Sequence, residues 1–209
     1  MALDHATTIE AYSDPQVAQR YARDYSLFWR DFPNEIFTDF AEGIPQGSEV
    51  LNVGSGPGYE SERLRELGLR VVCFDASAPM LEMTRERGFE SIQGDFMNFP
   101  DFGRRFAGIW AFTSIGTHLP HRMLPHVLRQ IRGFTTGDAV LAVGVLQSRA
   151  RGRRKVGGIS RTYGDERLIS YYTEGEILDI LSRCAYEPQA TYQHDYFGHQ
   201  YLTAIANKF

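Results

Sequence analysis

Cysteine is scarce: Cys73 and Cys184 are the only two in 209 residues. Each sits among apolar neighbours, so both read as buried free thiols, with no disulfide framework and no zinc site. No run approaches the roughly 18 apolar residues that a membrane helix needs. Residues 1–10 lack a basic start followed by an apolar run, so a cytoplasmic protein without membrane attachment is expected. Positive charge is also short. Lys+Arg number 22 against 26 Asp+Glu, a formal charge of −4, which disfavours polyanions and makes nucleic acid an unexpected partner. Arg149, Arg151, Arg153, Arg154 and Lys155 form a local cationic cluster beside glycines, which reads as a solvated loop or as an attractor for an anionic acceptor. Internal repeats, low-complexity stretches and dividing linkers are missing as well, so one domain over 1–209 is expected.

What is present is an alternation of short apolar runs with amphipathic helices. Asp14 followed by Pro15 is a helix start, with Val17, Ala18, Tyr21 and Tyr25 at helical spacing after it. A second helix is expected near 35–41, stopped by Gly43 and Pro45. Strands are expected at 50–53, 71–74, 91–93, 107–112 and 139–145, with helices at 59–66, 78–87 and 122–131 between them. Thr173 and Glu176 make a capping box for a helix to about Cys184, and alternating runs at 190–195 and 201–206 read as a hairpin around Phe197-Gly198-His199. The pattern predicts an α/β fold: a doubly wound, mostly parallel seven-stranded sheet with a C-terminal antiparallel hairpin. Residues 1–47 form a helical lid and 48–209 a Rossmann-like core.

The first strand runs into Gly54-Ser55-Gly56-Pro57-Gly58, a turn whose glycines allow positive φ and close approach of a ligand to the backbone. A dinucleotide fingerprint would need glycine at position 59, which is Tyr59, and no Gly-Lys-Ser/Thr follows to make a phosphate loop. The second strand ends in Asp75, placed to accept ribose hydroxyls in any nucleoside site. After the third comes Gln93-Gly94-Asp95-Phe96, where Asp95 is either an ordinary turn residue or a nucleobase contact.

Taken with Trp110-Ala111-Phe112-Thr113-Ser114, His118-Leu119-Pro120, 128–131, 137–141 and 171–177, this order resembles the class I S-adenosylmethionine-dependent methyltransferases of small molecules. The resemblance covers nearly all of the chain after Val50. It implies S-adenosyl-L-methionine as cofactor and a small-molecule acceptor. Carried onto this sequence, it implies cofactor contacts from Tyr21, Asn52, Gly54, Ser55, Gly56, Asp75, Ala76, Met80, Gly94, Asp95, Phe96 and Phe112, with Asp95 accepting from the adenine amino group and Phe96 covering the ring. The stretch from Tyr12 to Tyr21 resembles the helix that closes over the cofactor, and Tyr21 then reaches the methionine end or the acceptor. One departure stands out: Asn52 occupies a position that is usually acidic, which removes a negative charge from the turn.

Methyl transfer is an in-line displacement that gains from alignment and desolvation, and it needs a general base only when the acceptor carries a proton to lose. His118, after the fourth strand, is the candidate base; the alternative is a loop histidine bonded to backbone. Tyr21 is the second catalytic candidate, against the plainer reading of a core aromatic that suits Tyr25 and Phe28. His118, His121 and His126 are not spaced to share a metal, because Pro120 breaks the helical geometry. Two other readings stay open: a nucleoside-binding protein that does not methylate, motivated by Asn52, and an NAD(P)-dependent oxidoreductase, opposed by Tyr59 and by Gly94-Asp95-Phe96.

Overall fold

The computed structural model describes residues 5–148, 158–160 by backbone alone, 167–196 and 198–209. The cationic cluster at 149–155 and Phe197 lie outside the described residues.

Three helices come first: α1 (His5–Ser13), α2 (Pro15–Asp31) and α3 (Asn34–Glu42). The Asp14 carboxylate accepts from the amides of Gln16 at 2.7 Å and Val17 at 3.4 Å, and Pro15 fills a position that has no need of an amide, so α2 begins where expected. Helix α1 was not foreseen, because a polar stretch such as Ala6-Thr7-Thr8 carries little helical periodicity.

The core then follows as β1 (Glu49–Val53), α4 (Tyr59–Glu66), β2 (Arg70–Asp75), α5 (Ala78–Glu86), β3 (Glu90–Gln93) and β4 (Phe106–Phe112). A short 3-10 turn at His121–Met123 leads into α6 (Leu124–Gly133), and β5 (Thr135–Gln147) follows. The helix expected over 122–131 thus starts later, because Pro125 suits only the first turn of an α-helix. Next come β6 (Gly158–Ser160), β7 (Arg167–Ile169), β8 (Tyr171–Tyr172), α7 (Glu174–Arg183), β9 (Tyr186–Tyr196) and β10 (His199–Lys208). The box that opens α7 is closed both ways, from the Glu176 amide to Thr173 Oγ1 at 3.3 Å and from the Thr173 amide to Glu176 Oε2 at 2.9 Å.

Seven strands run in the order β3-β2-β1-β4-β5-β10-β9, with the two-residue β8 beside β5 as an eighth, and β6 pairs with β7 separately. Pairing is parallel from β3 to β5 and antiparallel through β10 and β9. Period-2 alternation sorts the side chains to two apolar layers. Leu51, Val53, Val72 and Phe74 pack on the α6 and α7 side. Val50, Val71 and Cys73 pack on the opposite side with α2, α3 and Leu64 of α4. There Trp110 stacks on Phe37 at 4.5 Å. Because the chain steps outward from β1 in one direction to β2 and β3, and in the other to β4 and β5, a crevice opens at the carboxyl ends of β1 and β4. No described helix is long and apolar enough to cross a membrane.

Candidate functional site

A cavity fills that crevice, floored by the glycine turn and roofed by α1 and α2. The turn is built by the backbone of its neighbours: the amides of Gly54 and Ser55 donate to the Phe74 carbonyl at 2.7 and 3.1 Å. Gly54 has φ +71°, and a Cβ there would lie 2.3 Å from Ser114 Cβ, so only glycine fits. Ser114 Oγ in turn donates to the Val53 carbonyl at 2.6 Å, which fastens the segment after β4 onto the turn. Thr113, between β4 and Ser114, holds φ +47°, an uncommon conformation for a non-glycine residue.

Asp75 at the end of β2 organises the turn from the other side. Its Oδ2 accepts from the Gly56 amide and its Oδ1 from the Ser77 amide, both at 2.9 Å. Burial pushes its carboxyl above the ordinary range, opposed by the bonds from Ser77, Gly56 and Ala76 amides. Three amides on its two oxygens leave one lone pair for a ligand hydroxyl. Beyond it, Phe96 is buried and carries the His5 ring at 4.4 Å, while His5 Nε2 meets Asp95 Oδ1 at 2.6 Å. Asp95 Oδ1 also accepts from the Met97 amide at 2.8 Å, and Oδ2 has no bond among the described residues. Burial raises the Asp95 carboxyl, but the bonds from His5 and Met97 outweigh it and hold it below the usual range.

Helix α1 is fastened at four points: His5 to Asp95, the Leu168 amide to Thr8 Oγ1 at 3.0 Å, Ser77 Oγ to the Tyr12 carbonyl at 2.6 Å, and Arg167 Nη1 to the Tyr12 hydroxyl at 2.6 Å. Tyr12 stands edge-on to Tyr21 at 5.4 Å and to His118 at 5.7 Å, and Tyr21 stacks on Tyr25 at 4.1 Å. His118 Nδ1 lies 2.9 Å from the Leu168 carbonyl. A carbonyl can only accept, so Nδ1 carries the hydrogen. Burial lowers this imidazole to about 4, so near neutrality its Nε2 holds a lone pair.

Of the residues singled out in the sequence, Tyr21, Gly54, Ser55, Gly56, Asp75, Ala76, Met80, Phe96, Phe112 and His118 stand in the cavity wall. Asn52, Gly94 and Asp95 do not. Asn52 lies beneath the turn, where its Nδ2 donates to Ser61 Oγ at 3.0 Å. A Cβ on Gly94 would meet the Phe74 ring at 2.7 Å, and Asp95 is set back behind His5. His118, His121 and His126 disperse: His121 is buried against Tyr172 at 4.1 Å and His126 is exposed. No cluster of three metal-ligating side chains occurs among the described residues.

Residues 50–136 match the family described as a methyltransferase domain. That stretch is a methyltransferase domain. A segment of 54 residues, 24% of this chain, is 44% identical to the cypemycin N-terminal methyltransferase of a Streptomyces species and spans 22% of that protein. The magnesium protoporphyrin IX methyltransferase of Synechocystis PCC 6803, solved with S-adenosylhomocysteine, superposes with a TM-score of 0.76 at 12% identity, over 99% of this chain and 100% of that one. The cyclase SpnF superposes at 0.64 and 17% identity, over 84% and 80% of the two chains. At such identities the structural likenesses speak for the fold.

Several residues of the cavity wall were not anticipated: His5, Thr8 and Ile9 from α1, Trp29 from α2, Ser114 after β4, and Glu60 in the first turn of α4. For Glu60 the signal was available, an acid two residues past the last glycine of the turn. The α1 residues carried none, since their place depends on contacts with β7 more than 150 residues away.

Proposed function

We propose that this methyltransferase transfers a methyl group from S-adenosyl-L-methionine to a small acceptor bearing an N–H or O–H group. The carrying observation is the pairing, in one cavity, of the Gly54–Gly56 turn and Asp75 with a neutral His118 whose free nitrogen is Nε2. The donor set suits the cofactor. Asp75 offers a lone pair to a ribose hydroxyl, and Ala76, Met80 and Phe96 an apolar enclosure for the base; Asp95, set back behind His5, reaches an adenine amino group only through or past that imidazole. The glycine turn and Tyr21 take the amino-acid end. Bound there, S-adenosyl-L-methionine supplies an electrophilic sulfonium methyl. Tyr12, Trp29 and Phe112 exclude water from the acceptor side, and His118 Nε2 accepts the acceptor's N–H or O–H and receives the proton released as the new bond forms.

In this reading residues 1–47 act as the lid of a single domain over 1–209, and Tyr21 positions rather than exchanges protons. The two unpaired buried cysteines suit a reducing cytoplasm. The net charge of −4 favours small acceptors over nucleic acid. A second reading, a cofactor-binding protein without methylation, is favoured by Asn52, which puts no charge into the cavity.

Calorimetric titration with S-adenosylhomocysteine, followed by mass spectrometry of an acceptor panel of amines, phenols, carboxylic acids and peptide amino termini, tests both readings. Binding with a one-methyl mass gain supports the first. Failure to bind either form of the cofactor at millimolar concentration overturns it, and binding with no product across the panel favours the second.

A further inference from the structure

Two carboxyl side chains of the cavity wall, Asp75 and Glu60, have no ion-pair partner among the described residues; backbone amides bond Asp75, and Glu60 lacks any such set of neighbouring amides. Glu60 is 4% exposed and lies in the wall beside the glycine turn. Among the described residues no ion pair reaches it. The nearby guanidinium groups are engaged elsewhere: Arg87 with Glu62 and over the Tyr59 ring, Arg63 with the Trp29 carbonyl. The titratable groups around Glu60 are Asp75 and Cys73 of β2, Tyr21 of α2, and His5, Tyr12 and His118 across the cavity. Its charged neighbour Asp75 has the same sign and repels it. A carboxylate taken out of water beside another carboxylate is costly unless a cation arrives to meet it.

We propose that Glu60 is the counter-ion for the ammonium at the amino-acid end of the bound cofactor. This rests on the cofactor reading above. The position agrees with the geometry of the turn. Asn52, on β1, spends its amide on Ser61 and does not reach the wall, whereas Glu60, the residue before Ser61, does. The chain thus presents its negative charge from the first turn of α4 rather than from β1. In the ligand-free protein burial raises the Glu60 carboxyl to about 8, so near pH 7 it holds a proton. An arriving ammonium favours the ionised form, and that proton leaves to solvent as the ligand binds.

The test uses the whole chain and two neutral-sulfur ligands: S-adenosylhomocysteine, which carries the ammonium, and methylthioadenosine, which keeps the nucleoside thioether and lacks the amino-acid end. Glu60→Gln should bind S-adenosylhomocysteine about 10- to 100-fold more weakly and methylthioadenosine unchanged. Wild-type binding of S-adenosylhomocysteine near pH 7 should release close to one proton, read as a difference in heat between phosphate and Tris buffers, and the variant should release none. If the wild type binds neither ligand, the cofactor reading falls and this one with it. If the wild type binds both and the variant matches it in affinity and proton release, this inference alone is overturned. Equal loss of both ligands in the variant also overturns it, because Glu60 would then be holding the site together rather than meeting the ammonium.

Discussion

Replacing Glu60 by glutamine should make the protein more stable, and by an amount that depends on pH. The folded chain holds the Glu60 proton up to about pH 8, whereas a free glutamate releases it near 4.5. Between those values the folded state binds more protons than the unfolded state, so stability falls as pH rises through the window. The span from 4.5 to about 8 covers roughly 3.5 on the pH scale, and about 1.4 kcal/mol for each gives a ceiling near 5 kcal/mol above pH 8. At pH 7 the same reasoning gives about 3 kcal/mol. Glutamine is neutral throughout, so the variant's advantage over the wild type should be near zero at pH 4.5 and grow until about pH 8. Urea unfolding of both proteins at intervals from pH 5 to 9 measures this difference directly. His118 and His194, both lowered to about 4 by burial, push the other way below pH 6.5, but they are present in both proteins and cancel. A difference that stays constant across the range would show that Glu60 is already ionised in the folded chain and refute the argument.

Gly54→Ala places a Cβ 2.3 Å from Ser114 Cβ on a backbone at φ +71°, and should cost about 2–4 kcal/mol in chemical unfolding with loss of cofactor binding. His118→Asn should lower turnover about 100-fold or more while leaving S-adenosylhomocysteine affinity unchanged by calorimetry. Because its imidazole lies near 4, it should contribute no rise in rate between pH 6 and 7.5, and a limb near 6.5 that vanishes in the variant would contradict this. Thr173→Ala removes the cap of α7 and should cost about 1 kcal/mol, visible as a lower Tm. His5→Ala releases α1 from Asp95 and Phe96, and should raise amide exchange over residues 5–13 and speed ligand dissociation in stopped flow.

The sheet was legible because its causes are local. Leu51, Val53, Val72 and Phe74 alternate with residues of the opposite layer, and Asp14, Ser77 and Thr173 mark helix starts through bonds that span two or three residues. The turn from Gly54 to Gly58 and the carboxylate of Asp75 could be read for the same reason. Asn52 could not be placed by its motif alone, since whether its amide faces the ligand or Ser61 is decided by α4 packing on β1 and β2. His118 was readable as a candidate, but its tautomer depends on the Leu168 carbonyl, fifty residues later in the chain. Helix α1 and strands β6, β7 and β8 escaped notice because short segments with little alternation are defined by their partners: Ile159 with Leu168, Leu146 with Tyr171, and Thr8 with Leu168.

The four fastenings of α1 also impose an order on the making of the protein. Residues 5–13 emerge before the other described elements during synthesis, yet two of their anchors, Arg167 and Leu168, emerge more than 150 residues later. The glycine turn, Asp75 and Asp95 can all be assembled with the parallel strands before that point. Helix α1, made before the other described helices, is therefore among the last to find its native place, and a nascent chain carries its cavity open on that side until β7 arrives to close it.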